Sequence, residues 1–224
     1  MKYIKTQKFG IEIEFTGITR EKAAKVAAEH FGTTYSHNGG SYDEYSVNDS
    51  QGRKWKFVSD ASIKAQKKLR GQIVSAGRDY SVELVRPICT YSDIEAIQEL
   101  ARKLRKAGGF VNKSVGIHIH ADGSKHTPKS IKNFINIIAS KNNLLYKSLQ
   151  IDPERMRFCK ALDKRFVDEI NRKNPKTMGA IADIWYRDSY TNRVAHYNDT
   201  RYHFLNLHSF FNGVGTCEIR GYVQ

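Results

Sequence analysis

The sequence is poor in the features that mark several large classes of protein. Its 224 residues include only three cysteines, which lie far apart and form no Cys-x-x-Cys pair. This spacing argues against a zinc ribbon and a disulfide framework, and it is typical of a reducing compartment. No apolar run approaches the ~18 residues that a membrane span requires, so we expect no membrane insertion. The first residues lack the apolar core of a signal peptide, and we therefore expect a cytoplasmic protein.

Acidic residues are the scarcer charged class. Lys and Arg number 37 against 23 Asp and Glu, which gives a formal net charge of +14. Such a surplus favours an anionic partner, nucleic acid included, but a basic surface that only keeps the protein soluble explains it equally well. The densest basic run, residues 64–70, is predicted to be a loop or a short helix.

Hydrophobic periodicity predicts a mixed fold in one domain, 1–224, since the length suits one elaborated domain and no linker divides the chain. Alternating or apolar segments predict strands over 3–16, 55–60, 80–88, 115–122 and 215–222. Helical spacing predicts helices over 19–31, 91–107, 128–148 and, broken near 174–175, over 153–186. Residues 33–52 are predicted to form a hairpin or a long loop. Regular βαβ spacing is missing, which favours an α+β fold with an antiparallel sheet over a doubly wound parallel sheet.

Four predicted strands carry ionisable residues between apolar ones. Successive side chains of a strand point to opposite faces, so residues two apart share a face. The sets that share a face are Glu12 with Glu14, His118 with His120, and Glu218 with Arg220 and Tyr222. A further carboxylate, Glu83, stands between Val82 and Leu84 in the 80–88 strand.

These residues have two interpretations. Each set could be the solvent face of a half-buried strand, but solvent faces in so basic a chain should show lysine and threonine. Four carboxylates on one face of a sheet would repel each other, and Mg²⁺ or Mn²⁺ would compensate them. Arg220 adds a planar fork suited to phosphate, and phosphoryl transfer needs metal and cationic groups together.

Six short segments occur in the order found in the amidoligase family, and the sequence resembles that family over most of its length. They are FGIEIEF (9–15), WKFVSDASI (55–63), VELVRPI (82–88), GIHIHAD (116–122), RYHFLNLHSFF (201–211) and GTCEIRGY (215–222). The family is a branch of the carboxylate–amine ligases, which include glutamine synthetase and glutamate–cysteine ligase.

The resemblance implies a glutamine-synthetase-like catalytic domain, in which a curved antiparallel sheet carries helices on its outer face. It implies an ATP-dependent ligase that uses Mg²⁺ or Mn²⁺. In such enzymes ATP phosphorylates a carboxylate substrate, and an amine substrate attacks the acyl phosphate to form an amide or isopeptide bond. The expected substrates are amino acids, peptides or polyamines.

The resemblance also implies roles for individual residues. The implied metal ligands are Glu12, Glu14, Glu83, His118 and Glu218. The implied nucleotide contacts are His120, Arg201, Asn206 and Arg220, of which Arg201 and Asn206 orient nucleotide or substrate. The implied catalytic residues are Asp60 on the substrate side, Glu83, and Arg220 at the transferred phosphate.

Two other functions remain open from the sequence. The basic charge and the clustered Glu and His residues also suit a metal-dependent nuclease, which needs metal but no ATP. A non-catalytic nucleic-acid-binding module needs neither, and its affinity should fall steeply with salt.

Overall fold

The computed structural model describes residues 4–187, 189–195 and 198–221, and the chain divides into two compact units. The first unit is Met1–Ile117 and the second is His118–Gln224. No helix in the described part of the chain is both long enough and apolar enough to cross a bilayer.

The first unit is built mainly from strands. Its strands are β1 Phe9–Phe15, β2 Tyr35–Gly39, β3 Glu44–Asn48, β4 Lys54–Val58, β5 Gln66–Leu69, β6 Gln72–Ser75 and β7 Val82–Val85. Its helices are α1 Arg20–Phe31 and α2 Ile94–Lys106, with short 3-10 turns at Ile4–Thr6, Arg78–Tyr80 and Tyr91–Asp93.

Five of these strands form one sheet in the order β2-β3-β4-β7-β1, and each neighbouring pair is antiparallel. The β1 and β7 strands place Ile13 opposite Leu84 and Glu14 opposite Glu83. Apolar and acidic residues alternate along both strands, so each acid faces away from the side on which its apolar neighbours pack.

Both helices of the first unit contribute to the apolar core. The core combines side chains from the sheet, such as Phe15, Phe57 and Leu84, with alanines of α1 and with Leu100 of α2. Small alanines let the helix approach the sheet closely. Thr19 caps the start of helix α1, where its hydroxyl accepts a hydrogen bond from the backbone N–H of Lys22, and Gly32 caps the end of the helix in the left-handed conformation.

The basic segment 64–70 differs from its prediction. It is neither a loop nor a short helix, because β5 pairs with β6 in an antiparallel hairpin. Thr16 anchors the hairpin: its hydroxyl donates to the Gln66 carbonyl and accepts from the Gln66 N–H, both at 2.8 Å. The pattern is hard to read in the sequence because β5 carries two lysines and little apolar alternation.

The second unit is richer in helices. Its helices are α3 Pro128–Ser148, α4 Lys164–Lys173, α5 Met178–Tyr186, α6 Tyr190–Val194 and α7 His208–Phe211, with 3-10 turns at Pro153–Arg157 and Asp199–Arg201. Its strands are β8 Ile117–Asp122, which begins at the boundary, β9 Leu205–Asn206 and β10 Thr216–Gly221, in the order β8-β10-β9.

A second core holds this unit together. It packs Ile131 and Ile135 of α3 against Ile170 of α4, Trp185 of α5 and Cys217 of β10. Helix α3 begins as its sequence predicts, with Pro128 in the first turn behind a Thr127 cap. Because the odd residues of β10 face this core, Glu218 and Arg220 lie on the other face of the strand.

Most predicted elements are confirmed, and their ends shift by a few residues. The fold is mixed, with a large antiparallel sheet and helices. The first strand begins at Phe9 rather than residue 3, since Ile4–Thr6 form a 3-10 turn. Tyr3 and Tyr222 lie outside the described residues. The curvature of the sheet, the glutamine-synthetase-like fold and the single-domain organisation stay predictions.

Candidate functional site

Three carboxylates of the first unit form an acid cluster, which we define as Glu12, Glu14 and Glu83. Glu14 of β1 is directly opposite Glu83 of β7. Glu12 is two residues from Glu14 on the same face, and its carboxyl group is hydrogen-bonded to that of Glu83. Two carboxyl groups can share a hydrogen bond only when one of them carries a proton.

The pKa of Glu83 is raised well above its usual range. Burial is the largest cause, and the negative charges of Glu12, Asp60 and Glu14 add to it. Burial and the neighbouring carboxylates therefore both disfavour the ionised form of Glu83. A divalent cation bound there would take the place of the proton.

Glu14 is the most firmly held member of the acid cluster. Its side chain is 2% exposed, and its Oε2 accepts a hydrogen bond of 2.6 Å from the backbone N–H of Gly116. The backbone N–H of Glu14 donates in turn to the Gly116 carbonyl at 3.0 Å. This two-way pairing fixes the carboxylate at a backbone position two residues before His118.

Asp60 lies beside the acid cluster, close enough for its charge to act on Glu83. It follows β4 in a turn closed by Ser62, whose backbone N–H donates to Asp60 Oδ1 at 2.5 Å. The hydroxyl of Ser81 donates to the Asp60 carbonyl at 2.6 Å, which ties the turn to the residue before β7. Asp60, for which a role on the substrate side is predicted, is thus held by the residue that precedes the strand of Glu83.

In the second unit, Glu218 is the centre of a buried polar cluster. It is 2% exposed and lies directly opposite Asn206 in the β9–β10 register. The Asn206 amide donates to Glu218 Oε2 at 2.6 Å, and Arg220 Nη1 donates to Oε1 at 2.7 Å. His118 Nδ1 is 3.8 Å from Oε1. We call Glu218, Asn206, Arg220 and His118 the Glu218 cluster.

A series of hydrogen bonds links this cluster to α5 through His208. The backbone N–H of His208 donates to Asn206 Oδ1 at 2.8 Å, and the Tyr186 hydroxyl is 2.7 Å from His208 Nδ1. All three residues are buried. The sequence did not predict a role for Tyr186, since no local pattern links a residue of α5 to one 22 positions later.

The remaining predicted residues of the second unit are less enclosed. His120 is half-buried on β8, with Nδ1 3.4 Å from the Thr216 hydroxyl. Arg201 is half-buried at the end of the Asp199–Arg201 turn. Their predicted contacts with nucleotide are not tested by these positions.

Both clusters suit a hard divalent cation. The acid cluster supplies only carboxylate oxygens, and the Glu218 cluster supplies a carboxylate with an imidazole close by; Mg²⁺ and Mn²⁺ bind such donors. The burial of Glu14 and Glu218 shows that the solvent-face interpretation of these two strands is wrong. A common metal site formed by all five predicted ligands stays a prediction.

The chain as a whole matches a known protein family. No curated protein and no solved structure matches the chain. Residues 5–222 match the family described as "Putative amidoligase enzyme". Since the match spans nearly the full sequence and confirms the resemblance of the six segments, the chain belongs to this amidoligase family.

Proposed function

We propose that this protein is an ATP-dependent carboxylate–amine ligase with a glutamine-synthetase-like fold and curved sheet. Membership of the amidoligase family supports a ligase. The observation that carries the metal dependence is the convergence of three carboxylates in the acid cluster, where burial and then like charges raise the pKa of Glu83. When bound, Mg²⁺ or Mn²⁺ would screen the negative charge of ATP and of the phosphoryl group transferred to the substrate carboxylate.

The proposed metal ligands are those that the resemblance implies. They are Glu12, Glu14, Glu83, His118 and Glu218. The Gly116 N–H holds Glu14 in one orientation, and the Asn206 amide does the same for Glu218. Partners of this kind orient a ligand before the metal arrives, so that little freedom is lost on binding.

Asn206 is better explained as a positioning residue than as a nucleotide contact. Its amide nitrogen donates to Glu218, and its amide oxygen accepts from His208. Both polar atoms of the side chain are therefore engaged inside the protein. We propose that Asn206 orients Glu218, and that nucleotide orientation rests on Arg201 and His120.

Arg220 is the proposed contact for the transferred phosphate. One nitrogen of its guanidinium group is bound to Glu218. Within the described residues its Nε has no hydrogen-bond partner. A buried guanidinium with an unused donor suits an anionic oxygen of the reacting group. Asp60, beside Glu83, is proposed to act on the substrate side.

The first test measures nucleotide binding. We expect calorimetry to show ATP binding only when Mg²⁺ or Mn²⁺ is present, and Glu12→Ala or Glu218→Ala to abolish it. Glu95→Ala, an exposed acid on α2, is the matched control and should bind like the wild type. Unchanged nucleotide binding in both site variants would contradict the metal assignment.

The second test identifies the reaction. The protein is incubated with ATP and with pools of amino acids, polyamines and acidic peptides, and the products are analysed by mass spectrometry. A ligase yields a product lighter by one water than its two reactants, together with phosphate. Metal-dependent cleavage of DNA without ATP would favour a nuclease instead.

A further inference from the structure

A hairpin of the first unit carries basic residues that the sites described above do not use. We define it as residues 64–75 and call it the basic hairpin. Its strands β5 and β6 pair in antiparallel register and are joined by Arg70 and Gly71. Both joining residues have a positive φ, +49° and +84°, as a two-residue hairpin turn requires. Leu69 and Ile73, on either side of the turn, are 55% and 54% exposed, so the tip of the hairpin lies in solvent.

The charge of the basic hairpin has one sign. Residues 61–78 contain no acidic residue. The basic residues of the hairpin are Lys64, Lys67, Lys68 and Arg70. None of these four has an ion-pair partner among the residues that the structure describes. Other basic residues of the unit are neutralised locally, as Lys56 is by Glu44 at 2.9 Å. Because no carboxylate competes for its cations, the hairpin suits an anionic partner.

Lys67 and Lys68 lie on opposite faces of the basic hairpin, because successive side chains of a strand point to opposite sides. The Nζ of Lys67 is 5.6 Å from the ring centroid of Tyr80, and the Nζ of Lys68 is 5.8 Å from that of Phe110. Tyr80 precedes β7, whereas Phe110 follows α2. The face of an aromatic ring attracts an ammonium group. Each face of the hairpin thus holds one ammonium group in a defined position.

The base of the basic hairpin is fixed to the rest of the first unit. In addition to the two hydrogen bonds with Thr16, the Gln66 carbonyl accepts from the backbone N–H of Gly17 at 3.0 Å. The backbone N–H of Lys64 donates to the Ser114 hydroxyl at 2.8 Å, and the Lys64 carbonyl accepts from the Asn112 amide at 2.9 Å. A hairpin anchored in this way loses little conformational freedom when it binds a partner.

We propose that the basic hairpin docks into a groove of duplex DNA and contacts its phosphates. The major groove is about 12 Å wide, admits a two-stranded β-ribbon, and has a row of phosphates along each side. Lys67 and Lys68 complement these two rows because they project from opposite faces. An acidic peptide would present its charges to one face or one edge of the hairpin, and one of the two lysines would then remain unused. Phosphate contacts carry no sequence information, so the docking is independent of sequence.

Fluorescence anisotropy of a labelled DNA duplex tests the proposal with the full chain. The hairpin variant combines Lys67→Gln, Lys68→Gln and Arg70→Gln. The titration contains no ATP, and EDTA prevents metal-dependent cleavage of the duplex. Each substitution is also made alone at Lys67 and at Lys68, so that the two faces of the hairpin are tested separately.

The matched control removes the same charge from another surface of the first unit. It combines Arg102→Gln, Arg105→Gln and Lys106→Gln, at three exposed positions of α2. Both triple variants reduce the net charge equally, so the long-range attraction to DNA changes equally and only the local contacts differ. Circular dichroism establishes that both variants are folded before their affinities are compared.

We expect the hairpin variant to bind the duplex at least roughly tenfold more weakly than the α2 variant at about 50 mM NaCl. Each lost phosphate contact reduces the slope of log affinity against log salt by about 0.9. The slope should therefore fall by about 2–3 in the hairpin variant and by less than about 1 in the α2 variant. Lys67→Gln and Lys68→Gln alone should weaken binding by similar factors, since each face contacts one row of phosphates.

The proposal is wrong if the two triple variants lose affinity equally, if only one of the two single variants loses affinity, or if poly-L-glutamate binds more tightly than the duplex at the same salt concentration. The last two results would favour an acidic peptide as the partner. Because ATP and metal are absent from the titration, failed docking leaves the ligase proposal intact. Equally, failed metal-dependent ATP binding leaves the docking result intact.

Discussion

At the scale of single residues, the acid cluster shows how neighbours change the chemistry of a carboxyl group. Glu83 is surrounded by Glu12, Glu14 and Asp60, and burial removes the water that would otherwise screen their charges. The folded protein therefore holds a proton on this group at pH values where the unfolded chain has released it. Each unit of such a pKa shift corresponds to about 1.4 kcal/mol.

Glu83→Gln should stabilise the metal-free protein at pH 8. A raised pKa means that the folded state binds more protons than the unfolded state, so stability is highest below the ordinary pKa of 4.5 and falls as pH rises through the raised value. Glutamine has no charge to lose, and we expect a gain of at least about 1 kcal/mol at pH 8 and a flatter pH dependence. The measurement is urea unfolding with EDTA between pH 5 and 9.

In the presence of Mn²⁺ the wild type should be more stable than Glu83→Gln, because the ion stabilises the complete set of ligands more than a set that lacks one. Equal stability of Glu83→Gln and the wild type at pH 8 in EDTA would contradict the electrostatic account of the acid cluster.

At the scale of elements, the ends of β1 and α1 are set by two glycines with different constraints. Gly32 ends α1 at φ +67°, and a Cβ there would meet no atom within 4 Å. Gly17 follows β1 at φ +96°, and a Cβ there would lie 2.4 Å from the Gly108 carbonyl oxygen and 2.5 Å from the Phe110 ring. Thr16, the residue before it, pairs with Phe110 through two backbone hydrogen bonds. Gly17 is therefore needed for both its conformation and its lack of a side chain.

Gly17→Ala should destabilise the protein more than Gly32→Ala. We expect a loss of about 1 kcal/mol for Gly32→Ala, from backbone strain alone, and more than about 2 kcal/mol for Gly17→Ala, which adds a steric clash. Chemical denaturation of the two variants measures the difference. Equal losses of stability would contradict this account, because they would mean that the backbone at the end of β1 moves to accommodate the new methyl group without destabilising the protein.

At the scale of the whole molecule, the net charge of +14 is large but dispersed. Many basic residues are paired locally, as Arg53 is with Asp49 and Asp93. The hairpin of β5 and β6 carries Lys67 and Lys68, whose ammonium groups lie 5.6–5.8 Å from the ring centroids of Tyr80 and Phe110. A charge distributed in this way supports weak attraction to any polyanion more than recognition of one nucleic acid.

Binding to duplex DNA should accordingly be non-specific and dependent on salt. We expect the dissociation constant to rise at least ~10-fold between 50 and 200 mM NaCl, with equal affinity for unrelated sequences. Fluorescence anisotropy measures it, and Glu218→Ala should bind DNA like the wild type. Tight binding that is specific for one sequence at 200 mM salt would favour the nucleic-acid interpretation of the charge.

Local regularities of the chain are sufficient to predict much of this protein. Alternation along a strand depends only on backbone geometry, so the shared face of Glu12 and Glu14, and that of Glu218 and Arg220, can be inferred from spacing. The helices over 20–31 and 128–148 follow from periodicity and from their end residues in the same way. The six family segments add the class of reaction, which no periodicity supplies.

Other features depend on residues that are distant in the chain. The opposition of Glu14 and Glu83, and hence the raised pKa of Glu83, exists only because β1 and β7 pair in one register. The hydrogen bonds that link Tyr186 to Asn206 through His208, and Asn206 to Glu218, likewise require packing of α5, α7, β9 and β10. The alternation of side chains along a strand depends on the local backbone alone. Strand pairing and burial depend on the balance of interactions over a whole unit. The interactions among the charged groups of the acid cluster and of the Glu218 cluster therefore arise only in the folded chain.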